Sequence, residues 1–350
     1  MLQTLELTHV RSYKSGLFQF SDSVNIIVGP NASGKTNLLE AIHMITQGEA
    51  FKSDDLNMIN HNSDWARIDS RYDNENRTIK IKKSPLSKIF VFDDIEKKRF
   101  PADKTIPTVL FEPTHLLLLG GEPERRRAYI DNLLTQTEAG YGTLLKSYKR
   151  VLSQRNRLLK QETISPEHLF VWDVQLADIA GKIFEYRKKY TDFLQEQITD
   201  NYQSVSGNEE VLEITYESKI PSIQYANELL KKLKHGFAVD QARGFTGYGP
   251  HRDDLKITIN KYDARDNASR GETRSVVLAL KLAELNILEQ KTGKKPLLLL
   301  DDVFSELDGK RRRTLSETLQ KYQTFITTTD ADVVIEHFSK ICNIIPTNQF

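Results

Sequence analysis

The sequence predicts an α/β fold: a mixed sheet carrying a glycine-rich loop, with a second, mostly helical domain inserted into it. Three observations carry that prediction. Gly29 to Thr36 read G-P-N-A-S-G-K-T between an apolar run and a helical one. Far downstream, Leu297 to Asp302 read L-L-L-L-D-D, an apolar strand that ends in paired carboxylates. Between the two, from about 116 to 235, the pattern changes to long helices with few turn signals.

The loop follows Val24-Asn25-Ile26-Ile27-Val28, which reads as a strand, and precedes Asn37-Leu38-Leu39-Glu40-Ala41-Ile42, which reads as a helix. Strand, loop and helix in that order are the context a P-loop requires. Gly29 and Gly34 let the backbone curl so that successive N–H groups point at phosphate oxygens. The helix N-terminus adds partial positive charge. Gly29, Pro30, Asn31, Ala32, Ser33, Gly34, Lys35, Thr36 and Asn37 are therefore the expected nucleotide cradle. Lys35 is expected to reach the β- and γ-phosphates as a catalytic cation, and the Thr36 hydroxyl to ligate magnesium. ATP with Mg2+ is the expected ligand pair.

Pro296 opens the acidic strand, and Leu297 to Leu300 are apolar throughout, as in a strand buried on both faces. Asp301 then falls at the carboxyl end, where open α/β sheets place ligands. Asp301 is expected to hold magnesium, directly or through water, and Asp302 to orient the attacking water. A turn-capping role for Asp302 stays open. Ser305-Glu306-Leu307-Asp308 follows at once.

Ser269-Arg270-Gly271-Glu272 opens a long apolar helix about 30 residues before the acidic strand. Ser269-x-x-Glu272 fits a capping box, so helix-start chemistry alone explains part of the pattern. The same start offers free N–H groups and a positive dipole end. With the P-loop upstream and the carboxylates downstream, the order is that of an ABC-type ATPase head. Two such heads close over two nucleotides. Ser269 and Gly271 are then expected to face the γ-phosphate bound by a second copy, and Ser305 to Asp308 to form the D-loop. An ATP-dependent homodimer is implied.

Composition narrows the class. With 350 residues the chain can bury a large core and is expected to hold two domains. Lys and Arg (49) almost cancel Asp and Glu (48), so any DNA binding has to come from local patches. Cys342 is the one cysteine, which excludes an intramolecular disulfide and predicts a reducing, cytoplasmic compartment. The N-terminus, Met1 to Leu7, alternates like a strand and does not read as a signal peptide. No apolar run is long enough to span a bilayer, so no membrane partner is implied.

Residues 1–115 read as strand-rich. Arg67 to Tyr72 and Thr78 to Lys82 alternate as a hairpin joined by Asp73-Asn74-Glu75-Asn76. Val109 to Phe111 form a further short strand. Thr143 to Gln161 and Pro166 to Gln203 are the clearest helices, and Val211 to Tyr216 a strand among them. Strand-helix alternation returns from about 236. The expected organisation is a head made of 1–115 plus 236–350, with an inserted helical arm at 116–235. That insert is too short for the long coiled coil of SMC-like proteins, and no heptad pattern is sustained over four repeats.

The first inserted helix carries a charge signal. Lys146, Arg150, Arg157 and Lys160 share one face, while Leu145, Tyr148, Leu152 and Leu159 share another. Arg125-Arg126-Arg127 and Arg187-Lys188-Lys189 flank it in sequence. The row suits tracking of DNA phosphates without base readout. It is equally compatible with a solvated charged face.

Over essentially its full length the chain resembles the RecF family of bacterial recombination-mediator ATPases. The resemblance rests on Arg11-Ser12-Tyr13, the run Gly29 to Ile42, Arg125-Arg126-Arg127 with Asp131, and Tyr148 to Lys160. It continues in Gly249-Pro250-His251-Arg252-Asp253-Asp254-Leu255, Ala268 to Glu284, and Leu298 to Asp308. It implies a protein that binds ATP, dimerises on it, and binds single-stranded or gapped DNA as the dimer. Slow hydrolysis then releases it. RecO and RecR partners, recombinase loading at gaps, replication-fork maintenance and the SOS response are implied with it, and Arg11 is implied to lie near the base or ribose. Three positions depart from the family pattern. Thr114-His115 stand where two acids usually follow Pro113, and Glu272 stands where a glutamine is common. Thr327-Thr328-Thr329-Asp330 carry no switch histidine, which leaves a hydroxyl as the candidate γ-phosphate sensor. The competing expectation is an ABC-type ATPase or scaffold serving another DNA-processing or membrane partner.

Overall fold

The N-terminal alternation folds as strand, and the computed structural model describes residues 1–52, 54–330, 334–335 and 342–347. The chain divides into two compact units, Met1–His115 with Leu285–Phe350, and Leu116–Glu284.

The first unit begins with β1 (Leu2–Val10), β2 (Tyr13–Gln19), β3 (Val24–Val28) and α1 (Lys35–Gln47). It continues through β4 (Trp65–Tyr72), β5 (Glu75–Lys82), β6 (Ser87–Phe92), β7 (Ile95–Lys97) and β8 (Thr108–Phe111). The second unit holds α2 (Pro123–Thr137), α3 (Tyr141–Leu159), α4 (Pro166–Ser206), β9 (Leu212–Glu217), α5 (Tyr225–His235), α6 (Phe237–Arg243), β10 (Asp254–Ile259), β11 (Tyr262–Asp263) and α7 (Ala264–Asn267). Helix α8 (Arg270–Thr292) runs across the division, and β12 (Leu297–Asp301), α9 (Gly309–Leu319), β13 (Thr324–Thr328) and β14 (Cys342–Pro346) complete the first unit.

The mixed character of the head is split between two sheets. One is antiparallel, in the order β2-β1-β4-β5-β6-β7; the other is parallel, in the order β14-β3-β13-β12-β8. The β4–β5 hairpin turns more tightly than its sequence suggests. Pairing runs out to Tyr72↔Glu75, which leaves Asp73 and Asn74 as a two-residue turn with Asp73 at φ 50°. Both sheets share a core through α1. Leu38, Leu39, Ala41, Ile42, Met44 and Ile45 of that helix are buried with Leu5, Leu7 and Ile68 of the antiparallel sheet and Leu299 and Phe325 of the parallel one. A helix apolar on so many faces has no solvent side to turn to. Deleting a side chain such as Leu299 is expected to cost about 2–5 kcal/mol.

The inserted unit reaches Glu284, whereas the sequence places the return to the head at 236. Strand pairing explains the difference. β10 pairs with β9 from Asp254↔Glu217 to Ile259↔Leu212, and with β11 on its other side, so this segment belongs to a three-stranded sheet of the second unit. The α4 helix has 41 residues and spans about 60 Å at 1.5 Å per residue. No helix among the described residues is long and apolar enough to cross a membrane.

Candidate nucleotide-binding site

The parallel sheet brings the site together by register. Thr327 of β13 lies opposite Asp301 of β12 on one side and Ile27 of β3 on the other. The carboxyl ends of three strands therefore align, and the P-loop leaves the end of β3 toward Asp301. Gly34 takes φ 97°, a left-handed conformation that favours glycine. A Cβ there would also lie 2.8 Å from Ser12 Oγ and 3.0 Å from the Tyr13 phenol. That crowding shows what Arg11-Ser12-Tyr13 does. The Tyr13 hydroxyl donates to the Gly34 carbonyl at 3.1 Å, and Ser12 Oγ accepts from Asn37 Nδ2 at 2.9 Å, so this turn braces the P-loop.

Helix α1 begins at Lys35 with Gly34 as its cap, no side-chain cap and no acid in its first turn. Its first N–H groups are suited to an anion. Pro30, Asn31 and Ala32 are exposed on the loop, Ser33 binds the Thr347 hydroxyl at 2.6 Å, and Gly29 is buried at its root. Lys35 is buried, with its ammonium donating to the carbonyls of Gly29 at 2.9 Å and Pro30 at 3.1 Å.

The Thr36 hydroxyl donates to Asp301 Oδ1 at 2.8 Å and Oδ2 at 3.1 Å. Thr327 Oγ1 also donates to Asp301 Oδ1, at 2.9 Å, and accepts the Asp302 N–H at 2.9 Å. This hydroxyl, the candidate γ-phosphate sensor, is engaged in holding the acidic strand end. Asp302 sits at φ 53°, and loss of surrounding water raises its pKa. Lys35 pulls that pKa down, Asp301 pushes it up, and Lys52 pulls it down. The donor set fits a hard divalent cation. A hydroxyl and a carboxylate meet at one point, and nearby Glu112 has a buried carboxylate oxygen, Oε2, with no hydrogen-bond partner.

Sequence reasoning missed three side chains here. Lys52 Nζ lies 2.7 Å from Asp301 Oδ2 and 3.8 Å from Glu112 Oε2. No motif marks Lys52, and Glu112 was passed over because the family pattern points to positions after Pro113. Glu40, buried within α1, accepts from Arg11 at 2.6 Å and from the Lys52 N–H at 3.1 Å. The Arg11 guanidinium is thus engaged by Glu40.

In the second unit, Ser269 caps α8 as a reciprocal box. Glu272 N–H donates to Ser269 Oγ at 3.2 Å, and Ser269 N–H donates to Glu272 Oε2 at 2.7 Å. That engagement holds the Glu272 carboxyl below its ordinary pKa. Ser269 is exposed and Gly271 half-buried. The side chain of Ser305 lies outside the described residues.

Lys146, Arg150 and Arg157 on α3 and Lys160 at its C-cap are all exposed, the helix has no acidic residue, and Lys149 adds a fifth exposed cation. Two flanking arginines do not join that surface. Arg126 is buried, chelates Asp254 at 2.7 and 2.9 Å, and donates to the carbonyls of Leu118, Leu119 and Gly121. Arg187 is buried, chelates Asp131 at 2.9 Å through Nε and Nη2, and donates from Nη1 to the Pro250 carbonyl at 2.7 Å. A charge taken out of water needs this many partners. His251 is likewise structural. Its Nε2 faces the Thr246 carbonyl at 3.1 Å and so carries the proton, which leaves Nδ1 to accept from Tyr148 at 2.6 Å. Burial pushes its pKa down to about 4.

Residues 1–100 match the family model described as the RecF/RecN/SMC N terminal domain. The chain is similar to a DNA replication and repair protein RecF of Lachnoclostridium phytofermentans, at 35% identity, covering 96% of this chain and 95% of the relative. It is also similar to one of Heliobacterium modesticaldum, at 36% identity, covering 94% and 92%. Among solved structures, the recombination mediator protein RecF-ATPrS in the RecFOR pathway superposes with TM-score 0.87 at 31% identity, covering 95% and 94%. An Smc head bound to the C-winged helix domain of ScpA superposes with TM-score 0.54 at 15% identity, covering 96% and 92%.

The Smc likeness shows the fold alone, and with the RecF likeness it gives the fold class, a P-loop α/β head of the ABC type. Identity above 30% over nearly the whole length narrows this further, and the chain belongs to the RecF family of DNA replication and repair proteins.

Proposed function

We propose that the chain is an ATP-gated DNA-binding protein of recombinational repair, acting in the RecFOR pathway with RecO and RecR partners. The observation that supports this best is the meeting of Thr36 and Asp301 beside a buried Lys35, in a chain that matches RecF along its length. In this reading the P-loop amides and Lys35 bind the ATP phosphates, and Thr36 and Asp301 hold magnesium, which neutralises phosphate charge. Asp302 orients the attacking water. Ser269 and Gly271 complete the site of a second copy, so ATP drives homodimerisation. Lys146, Arg150, Arg157 and Lys160 contact DNA phosphates at gaps or junctions, and slow hydrolysis resets the dimer. Recombinase loading, fork maintenance and SOS induction follow from that cycle.

Light scattering with and without ATP-magnesium, repeated with a short gapped duplex, tests it. The expected result is a dimer that needs ATP and retains DNA only as a dimer. A monomer under every condition, at protein concentrations well above the ATP affinity, would remove the clamp.

A further inference from the structure

Lys52 reaches the expected magnesium ligand without belonging to any recognised motif. Its backbone is fixed, because its N–H donates to Glu40, a buried side chain that also clamps Arg11. Its side chain is not fixed in the same way. The stem is flexible, is 40% exposed, and ends in an ammonium 2.7 Å from Asp301 Oδ2. A cation of the protein thus sits on the carboxylate that a metal ion would need.

The parallel sheet supplies a second acceptor for that ammonium. Phe111 of β8 is in register with Leu300, so the next residue, Glu112, comes out beside Asp301. Glu112 Oε1 accepts from the Thr114 hydroxyl, and the Glu112 N–H donates to His115 Nδ1 at 3.1 Å. The two residues that replace the family's usual acids therefore fasten an acid placed just before Pro113. Glu112 Oε2 is buried without a hydrogen-bond partner and lies 3.8 Å from Lys52 Nζ. A shift of about 1 Å by the ammonium would make a charge-assisted hydrogen bond there.

We propose that Lys52 is an exchangeable counter-ion of the magnesium site, holding Asp301 until a divalent cation claims it and then passing to Glu112. Two cations cannot share one carboxylate oxygen at close range without strong repulsion. The exchange leaves each carboxylate with its own cationic partner, Asp301 with the metal and Glu112 with the ammonium, while the site as a whole gains the two charges of the metal. Magnesium affinity is thereby set by Lys52 as well as by the ligands. This rests on the assignment of Thr36 and Asp301 as metal ligands.

Manganese alone is the probe, titrated into the full chain without nucleotide and read by electron paramagnetic resonance. If Lys52 occupies Asp301 about nine-tenths of the time, Lys52→Ala tightens manganese binding about tenfold, because the competent fraction of sites rises to one. Lys52→Arg retains the weak binding. Glu112→Gln removes the charge of the alternative acceptor and raises the magnesium concentration needed to tighten ATP binding. Manganese affinity unchanged in Lys52→Ala, with a melting curve like that of the parent, overturns the proposal. So does a loss of ATP affinity in Lys52→Ala with EDTA present, which would make Lys52 a phosphate ligand. If magnesium does not tighten ATP binding to the parent chain, the ligand assignment fails first, a result distinct from both.

Discussion

Two clusters of charge in this molecule look alike in sequence and behave differently in space. In the head, Asp301 is surrounded by groups that can let go: two hydroxyls and a half-exposed lysine. In the inserted unit, Asp131 is locked by Arg187 through Nε and Nη2 and by the Tyr141 hydroxyl at 2.6 Å. Arg155 is equally enclosed, on Asp173 at 2.6 Å and Asp240 at 2.8 Å. Both carboxylates are buried, and the difference lies in their partners: two hydroxyls and a lysine on a flexible stem at Asp301, a buried and twice-bonded arginine at Asp131. The contrast explains why the Gly249 to Leu255 segment is so polar. Asp253 accepts from Tyr216 and Tyr225, Asp254 from Arg126, and His251 from Tyr148. This segment is a fastening.

Paired substitutions break or keep that contrast with the largest effect. Lys35→Met is expected to abolish nucleotide binding while leaving a folded chain, read by calorimetric titration and circular dichroism. Arg187→Ala strands Asp131 and the Pro250 carbonyl in the interior. It is expected to cost about 3–5 kcal/mol in denaturant unfolding, with ATP affinity kept where the chain still folds. The opposite pattern, a stable Arg187→Ala that cannot bind ATP, would mean that the fastening belongs to the nucleotide site.

Next in size is the exposed row on α3. Reversing Lys146, Arg150 and Arg157 to Glu leaves the buried arginines untouched. If all three contact phosphates, the slope of log affinity against log salt falls by roughly 2–3. An unchanged slope would move the DNA contact elsewhere and leave α3 as a solvated face.

Asp302 gives a smaller, pH-dependent effect. Its pKa is raised by burial, so the ionised form is disfavoured in the folded chain relative to the unfolded one. Its contribution to stability is present below the unfolded carboxylate pKa and is lost as pH rises through the folded value. Asp302→Asn, compatible with the positive φ, is therefore expected to melt higher than the parent at pH 7 and equally in acid. The same variant is expected to retain an ATP-bound dimer, read by light scattering. A monomer with ATP bound would sink the trans-acting site.

Much of this was legible in the chain. β12 carries an unbroken apolar run from Leu297 to Leu300 and β3 a run interrupted only by Asn25, because parallel strands are buried on both faces, so the ends of both strands were legible in the sequence. The alternating runs at 67–72 and 78–82 gave the hairpin for the opposite reason. The domain boundary near 236 was not legible. Pairing of β10 with β9 joins residues about 40 apart, and no local pattern encodes that. Lys52 and Glu112 were hidden for the same reason, since their meeting with Asp301 depends on sheet order. Arg126 and Arg187 were misplaced because burial of an arginine depends on partners that are distant in sequence.

The smallest expected effect bears on Ser269, where helix capping and ligand binding make the same demand on one hydroxyl. Ser269→Ala removes the bond to the Glu272 N–H and is expected to cost about 1 kcal/mol of helix-start stability, whatever else Ser269 does. A loss of dimer in that variant would not separate the roles. Ser269→Asp does, because aspartate caps a helix as well as serine and interacts favourably with the positive end of the dipole. A pure cap is restored by aspartate, and ATP-dependent dimerisation returns with it. A hydroxyl that meets the γ-phosphate of a second copy is replaced by a like charge, so the variant keeps its melting temperature and stays monomeric in ATP-magnesium. Equal dimerisation of Ser269→Asp and the parent would reduce Ser269 to a cap and leave the backbone amides at Gly271 as the contact.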